Sequence, residues 1–389
     1  MDIPLPGSIE LLKKLVSFET VSSRSNLTLI EFVRDYLADF CVDSQVVFDE
    51  YGAKANLYAT IGPSDVPGIM LSGHSDVVPV DNQDWSSDPF VAVARNDRLY
   101  GRGVCDMKAF PAAVLTLLPE FIQRGLKTPL HLALSYDEEV GCIGGARLAR
   151  QLTSSPVRPA LCIVGEPTNM SVGTKHKGKR ISRCCVTGQE GHSSDPRKGV
   201  NAIEAASMII GQLARIARRF HDAGPHDEDL DPPYTIIQTG TINGGTSINV
   251  IPNSCIFEFE IRHLADNGPN EILREVQTFA EDTIIPAMHR VSSMAGISFE
   301  TIAEYPGLAT SEAAEVVQLT KALSENNGVV SVPYGCEAGL FHEAGIPTVI
   351  CGPGSIEQAH RPDEFISFDQ INRCERFLDR LKDHVCHDL

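Results

Sequence analysis

Residues 130–139 have the sequence LHLALSYDEE, in which a run typical of a buried strand leads directly into three carboxylates. Two other segments follow the same pattern, GIMLSGHSD at 68–76 and ALCIVGE at 160–166. In an open α/β sheet, functional groups collect at the carboxyl ends of the strands. The three segments therefore predict one polar site that is built from several strand ends.

The segments around these strands favour an α/β fold. A strand is predicted at 55–62, and helices at 107–123 and 145–152, although Pro111 and Pro119 indicate a late start or a kink in the first helix. The same alternation returns near the end of the sequence, with a helix at 312–323, a strand at 347–351 and a terminal helix. Strands that alternate with helices predict a central, mostly parallel sheet.

The middle of the chain has a different pattern. Strands are predicted at 179–188, 234–242, 255–262 and 297–303, and amphipathic helices at 201–220 and 271–285. This β-α-β-β-α-β order is typical of a compact, ferredoxin-like α+β unit. We therefore expect a discontinuous larger domain, residues 1–175 and 308–389, interrupted by a smaller domain at 176–307.

Composition excludes several classes of protein. Hydrophobic residues make up 42% of the 389 residues, which excludes intrinsic disorder. The 33 basic and 51 acidic residues give a net charge of −18, which disfavours nucleic acid and anionic membrane surfaces as partners. The sequence has no apolar run of membrane-spanning length and no signal-peptide pattern. Eleven cysteines without paired spacing favour a reducing, cytoplasmic location.

The polar residues at the strand ends are candidates for metal binding. His74 could bind a metal ion while Asp76 holds its other ring nitrogen, or the pair could form an ordinary polar turn. Asp106, in GRGVCDMK, could bridge two cations or cap the following helix. Glu138 and Glu139 point in different directions, so one could bind metal while the other acts as a general base, or they could form a solvated acidic turn.

Two further residues complete the set. Glu166 ends an apolar strand, where a carboxylate needs a partner. His360 lies in the Gly/Pro-rich segment GPGSIEQAHRPDE. Each signal is weak alone, but two histidines and several carboxylates on the strand ends of one sheet suit a hydrolytic site with two metal ions. The chain lacks the GxGxxG and GxxxxGK[ST] patterns after a strand and the GxSxG pattern, which disfavours nucleotide-binding and serine hydrolase functions.

In combination and order, the motifs resemble the M20 family of dinuclear zinc amidohydrolases and peptidases. The resemblance covers essentially the whole chain and rests on these segments: SGHSDVVP, LYGRGVCDMK, DEE, GEPT, HKG, GHSSDP and AHRPDE. It implies a zinc-peptidase-like catalytic domain with a central, mostly parallel sheet, interrupted by a ferredoxin-like lid and dimerisation domain.

The resemblance also implies roles for individual residues of the larger domain. Glu138 would be the general base, Asp76 would orient His74, and the Asp106–Met107 peptide bond would be cis. The metal ligands would be His74 and Glu166 on one ion, Glu139 and His360 on the other, and Asp106 between both. The two ions would be divalent, with Zn²⁺ expected and Co²⁺ able to replace it.

In the smaller domain, the resemblance implies that His192 reaches the active site of a partner subunit and stabilises the oxyanion. Asn249 and Arg262 would contact the carboxylate of the substrate. Without the family, His192 could be a turn residue and Arg262 could form a surface salt bridge. The protein would thus be a homodimer that acts on a small N-acyl amino acid.

The GEPT, GHSSDP and GPGSIEQAHRPDE segments indicate the branch that hydrolyses the N-acetyl amide of N2-acetyl-L-ornithine. A desuccinylase of succinyl-diaminopimelate or a dipeptidase has the same metal ligands, because these ligands act on the scissile amide rather than on substrate side chains. A non-catalytic binding protein on the same fold is a further alternative, which loss of Glu138 or a metal ligand would favour.

Overall fold

In the computed structural model, the described residues 7–386 divide into two compact units. The first unit contains the described residues up to Lys175 and those from Leu308 onward, and the second unit is His176–Gly307. The catalytic role of the first unit and the lid and dimerisation role of the second remain predictions.

The first unit contains a nine-stranded mixed sheet and a small three-stranded sheet. The strands of this unit are β1 Ser44–Phe48, β2 Ala55–Ile61, β3 Ile69–His74, β4 Val93–Arg95, β5 Arg98–Tyr100, β6 Leu130–Ser135, β7 Leu161–Pro167, β8 Val172–His176, β15 Leu308–Ala309, β16 Val329–Ser331, β17 Thr348–Gly352 and β18 Phe365–Ser367. The large sheet has the order β1-β2-β6-β3-β7-β17-β8-β15, with β16 beside β8. Its central pairs β6/β3, β3/β7 and β7/β17 are parallel, which confirms the predicted α/β class.

Helices cover both faces of this sheet. The helices of the first unit are α1 Ile9–Val16, α2 Leu27–Asp39, α3 Ala109–Arg124, α4 Ile143–Thr153, α8 Glu315–Ser324, α9 Ala338–Glu343 and α10 Phe368–Cys386. Along β3, Ile69 and Leu71 pack into the core beneath α1, α3 and α10, whereas Met70 packs into the core beneath α4 and α9. Successive residues of a strand point to opposite faces of the sheet. Since both faces of this sheet are covered, its strands need apolar residues at every position.

The helix predicted after GRGVCDMK starts later than expected. Its first residue is Ala109, with Lys108 in the N-cap position. Asp106 therefore lies in the preceding turn, and the expectation that it stands at the helix start is wrong. Pro111 lies in the first turn, where its missing N–H costs no hydrogen bond, and Pro119 is accommodated inside the helix.

The second unit has the predicted ferredoxin-like order. Its strands are β9 Gly178–Thr187, β10 Gly191–His192, β11 Ile236–Gly244, β12 Val250–Ile251, β13 Ser254–His263 and β14 Gly296–Tyr305. Its helices are α5 Ala202–Ala223, α6 Asn270–Phe279 and α7 Ile285–His289, with a π-helical turn at Ala280–Ile284 between the last two. The main sheet has the order β11-β13-β9-β14 and is antiparallel throughout, and β10 pairs with β12 separately.

One face of this sheet forms the core of the second unit. Phe257, Phe259 and Ile261 alternate along β13 and pack against α5 and α6, while Glu258 and Glu260 lie on the opposite face. This alternation is typical of an antiparallel sheet with only one covered face. Among residues 7–386, no helix combines the length and apolar character needed to cross a membrane. All eleven cysteines are free thiols.

Candidate active site

The sheet of the first unit brings the predicted strand-end residues together. His74 is the last residue of β3, Glu166 lies near the end of β7, and Glu138 and Glu139 follow β6. Since β3 lies between β6 and β7 and runs parallel to both, the ends of the three strands meet at one edge. Because these strands are parallel, three segments that are distant in sequence form one site.

At one end of the site, a buried histidine contacts two carboxylates. His74 Nε2 lies 3.0 Å from Asp106 Oδ1 and 3.5 Å from Glu166 Oε1. The His74 side chain is 1% exposed, and those of Asp106 and Glu166 are 7% and 4% exposed. Three polar side chains that converge in a dry environment require a compensating partner.

At the other end, a more exposed histidine makes a similar pair of contacts. His360 Nε2 lies 3.0 Å from Glu139 Oε2 and 3.3 Å from Asp106 Oδ2, and its side chain is 53% exposed. The two carboxylate oxygens of Asp106 therefore face different histidines, His74 and His360. The Asp106–Met107 peptide bond is cis, as the family resemblance implies.

The arrangement fits divalent metal ions. Ligand atoms lie within 4.8 Å of one another in two overlapping groups, one of His74, Asp106 and Glu139 and one of His74, Glu138 and Glu166. Zinc bonds of about 2.0–2.2 Å in tetrahedral geometry separate ligand atoms by about 3.3–3.6 Å, near the spacings observed here. In addition, Glu139 Oε1 is buried and has no hydrogen-bond partner among the described residues. Mixed imidazole and carboxylate donors suit zinc and related ions.

Four carboxylates lie close to only two histidines in this site, and their pKa values are shifted. Burial raises the pKa of Glu138 and Glu166 well above the usual value, and nearby carboxylates add to both shifts. Burial and the neighbouring Asp106 raise the pKa of Glu139 to about 7. Burial also acts to raise the pKa of Asp106, but hydrogen bonds with the two histidines hold it below its usual value. Bound cations would stabilise all four carboxylates in their charged form.

Asp76 contacts the other ring nitrogen of His74, but its backbone is closer than its carboxylate. His74 Nδ1 is 2.9 Å from the backbone carbonyl oxygen of Asp76, whereas the Asp76 carboxylate lies 3.6 Å away. The carboxylate accepts hydrogen bonds from Glu138 N at 3.1 Å and from Ser22 Oγ at 2.7 Å. The Asp76 main chain therefore orients the imidazole, and its side chain fixes the loop that carries Glu138.

The loop after β6 is held by further contacts. The Lys54 ammonium lies 2.6 Å from both carboxylate oxygens of Asp137, so the first acid of the DEE triplet is neutralised by a cation. Cys142 Sγ is 3.3 Å from Glu138 Oε1, within reach of a thiol hydrogen bond. Asp137 and Glu138 thus have separate partners, which reduces the repulsion expected of adjacent carboxylates.

The remaining predicted residues belong to the second unit. His192 is exposed, and its Nδ1 accepts a hydrogen bond from Ser194 N at 3.1 Å. In a neutral ring, this bond places the proton on Nε2, which is then a donor. Asn249 is also exposed, and its backbone carbonyl oxygen accepts a hydrogen bond from Ser193 N at 3.1 Å. The structure thus places the His192 and Asn249 segments side by side.

Arg262 lies on β13, where its Nε donates a 3.0 Å hydrogen bond to Glu260 Oε1. Its side chain is 34% exposed, so this contact matches the salt bridge that the sequence leaves open as an alternative. Nothing in this contact prevents the remaining guanidinium nitrogens from binding a carboxylate.

Sequence reasoning missed two buried charged residues next to the site. Glu364 and Arg102 form an ion pair with a 2.8 Å separation, and their side chains are 0% and 1% exposed. Arg102 lies within the GRGVCDMK motif and Glu364 within AHRPDE, so the motifs contained both residues but not the information that they pair. Lys54, in contrast, has no distinguishing pattern around it in the sequence.

Comparisons with known proteins identify the family and agree with the fold. A model of the peptidase family M20/M25/M40 matches residues 70–383. The acetylornithine deacetylase of Proteus mirabilis (strain HI4320) is 34% identical over 396 residues, covering 99% of this chain and 98% of that protein.

Solved structures share the fold at low sequence identity. An M20 family metallo-carboxypeptidase from Sulfolobus solfataricus is 16% identical with a TM-score of 0.78, covering 99% of this chain and 100% of that one. A dinuclear metal binding peptidase of the M20 family from Bacillus subtilis is 16% identical with a TM-score of 0.66, covering 97% of both chains. The family match over most of the chain, together with the full-length relative, confirms the resemblance: the chain belongs to the peptidase family M20/M25/M40.

Proposed function

We propose that this protein hydrolyses the N-acetyl amide of N2-acetyl-L-ornithine to L-ornithine and acetate, a step of arginine biosynthesis, with two bound divalent metal ions. The observation that carries the proposal is Asp106, whose two carboxylate oxygens face His74 at 3.0 Å and His360 at 3.3 Å. A carboxylate in this position can bridge two ions. His74 and Glu166 would hold one ion, and Glu139 and His360 the other.

When bound, two divalent ions supply Lewis acidity and lower the pKa of a water molecule toward about 7. The chain supplies the proton transfers. Glu138 is buried beside His74 and is held through its main chain by Asp76. It accepts a proton from the attacking water and then delivers a proton to the departing amine nitrogen. His192 donates from Nε2 to the amide oxygen as negative charge develops there.

The choice of N2-acetyl-L-ornithine as the substrate is supported by the full-length relative, the acetylornithine deacetylase of Proteus mirabilis. Asn249 and Arg262 bind the carboxylate of the substrate in this proposal. The metal ligands do not distinguish an acetylated amino acid from a succinylated one or from a dipeptide, so those substrates are the competing candidates. Zn²⁺ is the expected ion, and Co²⁺ is expected to replace it, because both suit mixed imidazole and carboxylate ligands.

We further propose that the protein works as a cytoplasmic homodimer. Eleven free thiols support a reducing compartment. The dimer would form through the second unit, so that His192 of one subunit completes the site of the other.

An amine-release assay with a panel of N-acyl amino acids tests the proposal. The metal-free protein is incubated with and without Zn²⁺ or Co²⁺, and Glu138→Gln serves as the control for contaminating activity. We expect metal-dependent release of ornithine from N2-acetyl-L-ornithine in preference to release from succinyl-diaminopimelate or dipeptides. Preference for either of the latter would replace the substrate, and no amine release from any of them would favour a non-catalytic binding protein.

A further inference from the structure

A buried carboxylate next to the metal ligands accepts several hydrogen bonds from one loop. The Glu364 side chain is 0% exposed. Its Oε1 accepts from Cys105 N at 2.9 Å and Asp106 N at 3.1 Å, and its Oε2 accepts from Gly103 N at 3.1 Å and Arg102 Nη1 at 2.8 Å. Glu364 thus binds the turn that carries Asp106, including the amide of Asp106 itself.

The same network reaches the loop that carries His360. Arg102 Nη1 is 3.3 Å from the carbonyl oxygen of Arg361, and its Nη2 donates to Gln83 Oε1 at 2.6 Å. Gln83 Nε2 in turn donates to the carbonyl oxygen of His360 at 3.0 Å. Since Glu364 follows His360 by only four residues, its carboxylate and its main chain connect the two loops directly.

The other metal ligands are held independently of this network. His74 and Glu166 lie on the buried strands β3 and β7, in the middle of the large sheet. His360, in contrast, lies in a loop with a positive φ of 65° and a half-exposed side chain. The position of His360 relative to Asp106 therefore depends on loop contacts, while that of His74 depends on the sheet.

We propose that Glu364 is a positioning residue that keeps Asp106 and His360 at the spacing required to bind one of the two metal ions. The proposal rests on the metal-dependent function proposed above. Both carboxylate oxygens of Glu364 are occupied by hydrogen bonds from the chain, so its role is not that of a metal ligand. It acts through the backbone amides of the turn at residues 103–106 and through Arg102.

The substitution Glu364→Gln tests this with little change in shape. A carboxylate accepts hydrogen bonds on both oxygens, whereas an amide has one oxygen and one NH₂ group, which donates. In the variant, the NH₂ group faces either the Cys105 and Asp106 amides or the Gly103 amide and Arg102. One pair of donors loses its acceptor, and buried donors without partners destabilise the arrangement that contains them.

The experiment titrates the metal-free protein with Co²⁺ and follows visible absorption, which reports the coordination of each ion. His360→Ala identifies which binding step belongs to the His360 position. We expect Glu364→Gln to weaken that step by about 10–100-fold, the usual effect of removing a group that orients a metal ligand, and to weaken the other step less, because only Asp106 is shared by the two ions. Glu375→Gln is the matched control, because Glu375 accepts hydrogen bonds from the amide and hydroxyl of Ser8, away from the Asp106 turn.

A second variant decides the question if Glu364→Gln does not fold. Gln83 is only partly buried, and its side chain is uncharged. Gln83→Ala therefore removes the hydrogen bond to His360 while Arg102 keeps its ion pair with Glu364. It should weaken the same binding step and leave the other unchanged. Unchanged affinity for the His360 step in the folded variants, or equal weakening of both steps, would overturn the proposal. Because metal binding is read directly, failure of the wild type to hydrolyse N2-acetyl-L-ornithine would count against the proposed function and not against this inference.

Discussion

In the first unit, the imidazole of His74 is almost completely buried between carboxylates, whereas in the second unit the imidazole of His192 is exposed and contacts Ser194. The two side chains differ in which part of the structure holds them in place. The position of His74 is set by a strand in the centre of a sheet, and that of His192 by a two-residue strand and the turn that follows it. Changes at the proposed metal ligands of the first unit should therefore alter metal content and stability, while changes at His192 should alter turnover.

The largest effect is expected from removing the metal ions. Chelation should abolish turnover, and Zn²⁺ or Co²⁺ should restore it, because the water and the amide would lose their activating cations. Ligands that bind only the folded state stabilise it, so chelation should also lower the melting temperature. Hydrogen exchange should increase in residues 103–106 and 135–142 and stay unchanged in 191–200. Full turnover in protein with verified metal content near zero would refute metal dependence.

Substitution of the two adjacent glutamates separates chemistry from metal binding within the first unit. Glu138→Gln should keep both ions and lose about 10²–10⁴-fold in kcat, because an amide cannot accept the proton of the water. Glu139→Gln should lose metal affinity, because Glu139 contacts His360 and is proposed to bind the same ion. Elemental analysis measures the metal content of both variants, and kinetics measures their turnover. Equal metal loss in the two variants would reverse the assignment of Glu138 as the base and Glu139 as the ligand.

His192→Ala tests the exposed region. It should lower kcat by about 10²–10³-fold, the usual effect of losing an oxyanion donor, and raise KM less. Metal content and melting temperature should match those of the wild type, because the side chain is exposed. If His192 is only a turn residue, kinetics will change little.

Mixing His192→Ala protein with Glu138→Gln protein shows in which subunit His192 acts. If it completes the site of a partner, subunit exchange creates one site with both residues intact, and activity returns. Absence of recovery despite demonstrated exchange would mean that His192 acts within its own chain or has no catalytic role.

The smallest expected effect is a change in the free energy of unfolding. It is measured by substituting two serines that contact predicted site residues. Ser22→Ala removes a buried hydroxyl that donates to Asp76 at 2.7 Å, so the free energy of unfolding should fall by about 1–3 kcal/mol. Ser194→Ala removes an exposed hydroxyl beside His192, and exposed substitutions usually change stability by less than about 0.5 kcal/mol. Denaturant unfolding of both variants checks this, and equal losses would contradict the contrast between the regions.

The sequence predicts the position of a strand best where both faces of that strand are buried. The apolar runs that became β3, β6 and β7 were predicted to within three residues, because each is continuous and ends in polar groups. The strands β1, β8 and β15 were not predicted. Two of them lie at the edges of the large sheet, and Leu308–Ala309 has only two residues, so pairing with neighbours rather than local pattern determines them.

The candidate site shows the same limit. Motifs contained all the residues proposed as metal ligands, but not the contacts that hold them. Arg102 and Glu364 are separated by 262 residues in the chain, and no local pattern indicates that they form a buried pair. Similarly, the spacing of His74 and Asp76 suggested a side-chain contact, but the backbone carbonyl is the closer partner because the carboxylate binds Ser22 and the Glu138 amide.

The interruption of the first unit has a consequence for synthesis of the chain. The second unit is continuous, so it can fold as soon as residue 307 has left the ribosome. The large sheet cannot close then, because β17 lies between β7 and β8 and is made last among them. Until residues 348–352 emerge, β7 presents an apolar edge that can pair with other chains, and His360 does not yet exist. A chain that stops before this point would be an aggregation hazard as well as an inactive protein.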